Sequence, residues 1–247
     1  MESNGVQGNH WVAYFDILGF ENMLCDFKRK FPCCLDLFVK NHYWDVLDAM
    51  KKETAYCPDV VSLAWFSDSF LLFSRDDSLK SFACVASAAG GFFREAVGQM
   101  MPPRGALGFG DFYADVANTI FVGDALIDAY QYAEQQDWIG LVITPSAYKA
   151  HEQFHDSSLV RDRDFVEHEV VLRENASERL YAYRPDTNCD FLDHMLDQIR
   201  QMQSSAKRDH PVEYEQKYRY KYERTIRFYE ESPRTGIRTT WRKMGTR

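Results

Sequence analysis

Two aspartates interrupt two of the most apolar stretches of this sequence, and any fold the chain adopts has to accommodate them. Asp16 follows residues 10–15 (HWVAYF) and precedes Ile17-Leu18-Gly19-Phe20. Asp68 stands in the triplet Ser67-Asp68-Ser69, between residues 60–66 (VVSLAWF) and 70–73 (FLLF). The flanking segments are rich in aromatic and β-branched residues, so they read as strands, the second pair as a hairpin. A carboxylate at the margin of a core costs several kcal/mol unless it is paired or bound to a metal. Taken singly, Asp16 reads as a helix cap and Asp68 as a turn residue. Taken together, on adjacent strands ending at one sheet edge, they repel each other, and a divalent cation relieves the repulsion. Oxygen-rich carboxylate pairs suit Mg²⁺ or Mn²⁺.

The rest of the chain alternates helices and strands without a regular βαβ repeat, which points to an α+β domain with a largely antiparallel sheet. Helical spacing links Leu35, Phe38, Trp44, Leu47 and Met50, with Pro32 separating two helical pieces. Residues 78–101 are Ala-rich and helix-like up to Pro102-Pro103. Residues 104–112 (RGALGFGDF) read as a strand, 122–136 as a helix and 141–143 as a strand. Thr144 is placed to cap a further helix with Pro145 at its first position. Later strands are expected at 159–161, 166–172 and 179–183, and helices over 190–205 and 212–229.

Charge separates the chain into two parts. The formal net charge is −8, which disfavours general binding to nucleic acid or anionic membrane. Residues 200–247 hold 13 Lys+Arg against 6 Asp+Glu, a net of +7, which leaves −15 for the rest. We therefore expect a domain over 1–186 and a basic helical extension over 187–247. The extension mixes Tyr214, Tyr218, Tyr220, Tyr222 and Phe228 with Lys217, Arg219, Lys221 and Arg224. That pattern fits a face packed on the acidic domain better than RNA binding. No run of about 18 apolar residues is present, so no membrane helix is expected. The N-terminal residues lack an apolar signal core, and the six cysteines form no Cys-x-x-Cys pair. The expectation is reduced thiols in a cytoplasmic protein without structural zinc.

Three further features sit near the aspartates. Gly19 lies at a strand-to-helix junction, and free amides at a helix start bind phosphate, although a tight turn uses glycine as well. Gly105, Gly108 and Gly110 space the strand after Arg104, leaving room for a ligand or for a neighbouring backbone. Arg104 itself suits a phosphate or a base edge, or an exposed strand end.

With these residues in place, the chain resembles the class III nucleotidyl cyclase family. Phe15-Asp16-Ile17-Leu18-Gly19-Phe20 is close to the family's first metal motif, Phe-x-Asp-Ile-x-Gly-Phe, and Asp68 matches its hairpin aspartate. Arg104 through Gly110 and the segment Gly123-Asp124-Ala125-Leu126-Ile127-Asp128-Ala129 resemble the later motifs, in order, over residues 10–150. The family's transition-state Asn and Arg would fall at Ile127 and Gln131, and its purine-reading Lys and Asp near Ala64 and Ile120. None of those residue types is present there. The motif set, with Tyr130 and Glu134 ending the helix, is most similar to the pyrimidine cyclases of bacterial Pycsar anti-phage systems.

This resemblance implies a ferredoxin-like sheet and a homodimer with composite active sites. It implies conversion of UTP to cyclic UMP and pyrophosphate, the product activating a separate effector protein in anti-phage defence. Two divalent cations, Mn²⁺ or Mg²⁺, would be held by Asp16, Asp68 and the Ile17 carbonyl. The amides of Leu18, Gly19 and Phe20 would hold phosphate oxygens, and Arg104 would contact the base or a phosphate. The alternatives are a cytidylate cyclase acting on CTP, a purine cyclase, or a catalytically dead nucleotide-sensing or dimerisation module.

Overall fold

The computed structural model describes residues 5–55, 59–153, 164–185 and 189–231. Strand β1 (Val6–Ile17) leads into α1 (Phe20–Lys30), then α2 (Leu35–Val39), a π turn (Lys40–Trp44) and α3 (Asp45–Thr54). The hairpin β2 (Val61–Phe66) and β3 (Ser69–Ser74) precedes α4 (Leu79–Gly98) and β4 (Pro103–Asp115). These four strands lie in the order β2-β3-β1-β4, the split arrangement of a ferredoxin-like fold.

The sheet continues through β6 (Leu141–Ile143), β8 (Ser177–Tyr183) and β7 (Phe165–Val171), with β5 (Ile120–Val122) paired beside β4. Only β4 and β6 pair in parallel, so the sheet is largely antiparallel as expected. Between these strands lie α5 (Asp124–Gln135) and α6 (Pro145–Gln153). The chain then runs through α7 (Cys189–Asp209), the short α8 (Pro211–Glu213), a π turn (Tyr214–Tyr218) and α9 (Arg219–Glu231).

Alternation along β1 divides the core. Trp11, Ala13, Phe15 and Ile17 enter the large cluster that holds Phe92 and Phe93 of α4. Val12 faces the other way, into a smaller cluster with Phe73, Phe112 and Ala125 beneath α5. Gly108 lets α5 approach the sheet: a Cβ there would lie 2.7 Å from the Ala125 carbonyl oxygen. Gly105 likewise accommodates the Phe15 ring. Of the two readings of this glycine spacing, the structure takes the close approach of the chain's own groups rather than room for a ligand.

The basic extension is part of the same core. Tyr214, Tyr222, Phe228 and Tyr229 join the cluster that holds Trp11, and the Thr225 hydroxyl accepts the Ile139 N–H at 2.8 Å. Lys221 and Arg224 both pair with Asp137. The aromatic residues are thus spent mainly on packing, with Tyr220 left on the surface.

Some local expectations shift. The helix expected from residue 122 starts at Asp124, because Ile120–Val122 pairs with β4 instead. The strand expected at 159–161 lies outside the described residues. Thr144 does cap α6, accepting the Ala147 N–H at 3.4 Å. Cys84 is disulfide-bonded, which corrects the expectation that all six cysteines are reduced; Cys25, Cys33 and Cys34 are free. Sequence spacing carries no information on which sulfurs the fold brings together. No described helix is long and apolar enough to cross a membrane.

Candidate active site

Asp16 occupies the end of β1 in register with Ser69 of β3 and with Arg104 of β4. The strand runs one residue past Asp16, and α1 is capped by Gly19 without any side-chain bond. Asp16 is therefore no helix cap. Asp68 lies in the β2–β3 turn, and its carbonyl accepts the Ile17 N–H at 3.2 Å. The pairing of β1 with β3 thus brings both aspartates to one end of the sheet. The turn is held from behind by the Tyr43 hydroxyl, which donates to the Ser67 carbonyl at 2.8 Å.

Arg104 is the centre of a buried charge cluster. Its Nε donates to Asp16 Oδ2 at 2.8 Å, and Nη2 reaches the same oxygen at 2.7 Å. Nη1 donates to the Glu134 main-chain carbonyl at 3.0 Å, and Nη2 also pairs with the Glu134 carboxylate. The Arg104 side chain is only 7% exposed and Asp16 only 15%. Arg104, expected to touch a base or phosphate, here spends its donors on the chain's own acceptors. Glu134, at the last turn of α5, was not visible as its partner. The available signal was a buried strand arginine that needs a counter-ion.

Burial pushes the Asp16 carboxyl above its ordinary value of 3.8; Arg104 opposes this, while Glu134 and Asp68 reinforce it. The Asp16 and Glu134 carboxylates thus share one buried guanidinium. Tyr14 shares a face with Asp16 two residues away, shares a hydrogen bond with the Ser69 hydroxyl at 2.8 Å, and is pushed by burial to about 12.

The junction after Asp16 differs in part from expectation. The Leu18 N–H donates to the Pro102 carbonyl at 2.9 Å, so this amide is already used and is not offered to a phosphate. Gly19 has φ 71°, a conformation that favours glycine, and its carbonyl accepts the Met23 N–H. The Gly19 and Phe20 amides open α1 and have no intrahelical partner.

The donor set fits a hard divalent cation. Asp16 keeps Oδ1 outside the arginine contact, Asp68 stands across the strand pair, and the Ile17 carbonyl has no partner among the described residues. All three are oxygen donors, and the excess of negative charge favours a cation. Among the described residues no group of three or more His, Cys, Asp or Glu could hold a metal. Of the four positions where the resemblance lacks its expected residues, three are exposed, while Ala64 on β2 is half-buried against the smaller core cluster. Ile127 and Gln131 lie on the exposed face of α5, and Ile120 is exposed on β5.

No protein-family model matches the sequence, and no curated protein matches it. Solved structures do. The chain is similar to the catalytic core of a rhodopsin-guanylyl cyclase with converted specificity in complex with ATPαS, at 16% identity and TM-score 0.47, covering 75% of this chain and 99% of that one. It is similar to a bacterial light-regulated adenylyl cyclase at 15% identity and TM-score 0.46, covering 79% and 98%. It is also similar to an adenylate/guanylate cyclase/hydrolase from Silicibacter pomeroyi at 13% identity and TM-score 0.46, covering 74% and 100%.

Proposed function

We propose that the chain is a class III nucleotidyl cyclase that converts UTP to cyclic UMP and pyrophosphate. The observation that carries this reading is the meeting of Asp16 and Asp68 at one sheet end, beside the glycine-capped start of α1. Asp16, Asp68 and the Ile17 carbonyl would hold two divalent cations, Mn²⁺ or Mg²⁺, while Arg104 fixes the Asp16 carboxylate through Oδ2 and leaves Oδ1 outside its contact. When bound, the cations would neutralise triphosphate charge and lower the pKa of the ribose 3′-hydroxyl. The Gly19 and Phe20 amides take phosphate oxygens at a helix start. The hydroxyl attacks the α-phosphorus in line, and pyrophosphate leaves.

The pyrimidine preference rests on Ala64 and Ile120, which offer no side-chain donor or acceptor where the family reads a purine. A homodimer with composite sites is supported by Ile120, Val122, Ile127 and Tyr130, an exposed apolar strip on β5 and α5 that a second copy would cover. Action through a separate effector in anti-phage defence follows from the Pycsar resemblance. The test is incubation of the protein with Mn²⁺ and each of UTP, CTP, ATP and GTP, with products identified by mass. Cyclic UMP is the expected product, and cyclic CMP in its place would transfer the reading to CTP. Cyclic AMP or GMP alone would overturn the pyrimidine assignment. No product from any of the four would replace the enzyme by a nucleotide-sensing module.

A further inference from the structure

Helix α1 has an inward stripe that is only partly covered: Met23 and Phe27 touch the core cluster, and Asn22 and Asp26 bond Glu213 and His210. Asn22, Met23, Asp26, Phe27 and Lys30 fall on one face at helical spacing, yet no residue of α1 is buried. An amphipathic helix ordinarily buries such a stripe against the core. Here the stripe lines one side of a half-open cavity of about 390 Å³, whose other sides are formed by the π turn after α2, the connection from α4 to β4, and helices α7 and α9. Neither Asp16, Asp68 nor Arg104 lines it, but Leu18 and Gly19 do, so it adjoins the candidate active site at the start of α1. Its volume lies within the range of small-molecule pockets, about 300–1,000 Å³.

The lining has the character of an amphiphile's site. Phe27, Phe38, Met23, Met202 and Tyr222 form the apolar body. His42 adds one buried polar atom, its Nδ1, which has no hydrogen-bond partner. At the mouth the carboxylates are already matched. Asp26 pairs with Arg29 and His210, Asp209 with Arg208, and Lys221 with Asp137. Lys30 lines the same mouth and has no ion-pair partner among the described residues. The surplus charge of the cavity is therefore positive.

We propose that this cavity is a binding site for a small amphiphilic anion, with an aromatic or aliphatic body between α1 and α7, a polar group toward His42 Nδ1, and its acidic group at Lys30. The site also touches Gly19, where an added Cβ would lie 3.5 Å from the Tyr218 hydroxyl oxygen. The binding claim stands whether or not the chain is a cyclase, because its test needs no turnover.

The probe is anilinonaphthalene sulfonate, an aromatic anion with one N–H, which fluoresces on leaving water. The expected result is one saturable site per chain. Ala206→Trp and Ser205→Trp both fill the cavity from α7 and should each weaken binding about tenfold or more. Circular dichroism and melting identify which variants remain folded, and either one suffices. Lys30→Glu should weaken the sulfonate severalfold while leaving the uncharged phenylnaphthylamine unaffected. Non-saturable binding, or unchanged binding in a folded tryptophan variant, would overturn the site. An equal loss for both probes in Lys30→Glu would overturn its anionic specificity.

Discussion

Asp16 and Arg104 stand directly opposite each other on β1 and β4, and the guanidinium grips one carboxylate oxygen through both Nε and Nη2. The same side chain holds Glu134, so a single buried cation joins two strands to the end of α5. Removing it leaves two carboxylates facing each other with little solvent. Arg104→Ala should therefore destabilise the fold by about 3–5 kcal/mol, the cost of breaking a buried pair from one side. Urea unfolding measures this, and a loss below about 1 kcal/mol would show the cluster to be as weak as a surface pair.

Asp16→Ala and Asp68→Ala separate structure from chemistry. Each removes a proposed metal ligand, and product formation should fall at least about a hundredfold. Asp68 sits in a turn whose hydrogen bond to Ile17 comes from the main chain, so its variant should retain the wild-type melting temperature. Retained turnover in either variant would remove that aspartate from the metal site.

Much of this site was legible in the sequence, and the illegible part has a physical cause. The apolar runs flanking Asp16 and Asp68 mark strands by period and composition, and an antiparallel neighbour relation between them was the simplest topology. The pairing of Arg104 with Glu134 was hidden because 30 residues separate them and α5 reaches β4 only through the space at Gly108. The Leu18 amide was misjudged for a related reason. Whether a loop N–H is free depends on the opposing strand, and here Pro102 supplies the carbonyl that takes it.

The docking of α9 should respond to acid. Burial pushes Asp137 up, but Lys221 and Arg224 outweigh it and hold its carboxyl below the ordinary 3.8. A depressed carboxyl contributes stability above the unfolded value, and that contribution is lost as pH falls through the folded value. Wild type should thus lose stability below pH 3.8 from this source, whereas Asp137→Asn should be less stable at neutral pH and flatter in the acid range. Melting temperature against pH reads both. Parallel curves for the two proteins would exclude the pair as a contributor.

Gly108→Ala tests the seat of α5. The added methyl would meet the Ala125 carbonyl at 2.7 Å, and backbone cannot yield cheaply. A loss of about 1–3 kcal/mol is expected, the usual penalty of overpacking. The hydrogen bond from the Ser146 hydroxyl of α6 to Asp128 of α5, at 2.5 Å, should weaken with it. An unchanged urea midpoint would mean that α5 shifts freely on the sheet.

The sharing of one core by β1 and α9 also governs the order in which this protein can be made. Trp11 and Phe15 belong to the same cluster as Tyr222, Phe228 and Tyr229, more than 200 residues later in the chain. As synthesis proceeds from the N-terminus, the strands that carry Asp16 and Asp68 emerge long before the aromatic side chains that complete the cluster they belong to. Until residues 222–229 arrive, Trp138 and His168 lack the Phe228 ring that packs on them, and a ribosome that stalls before them leaves a sticky, unfinished domain.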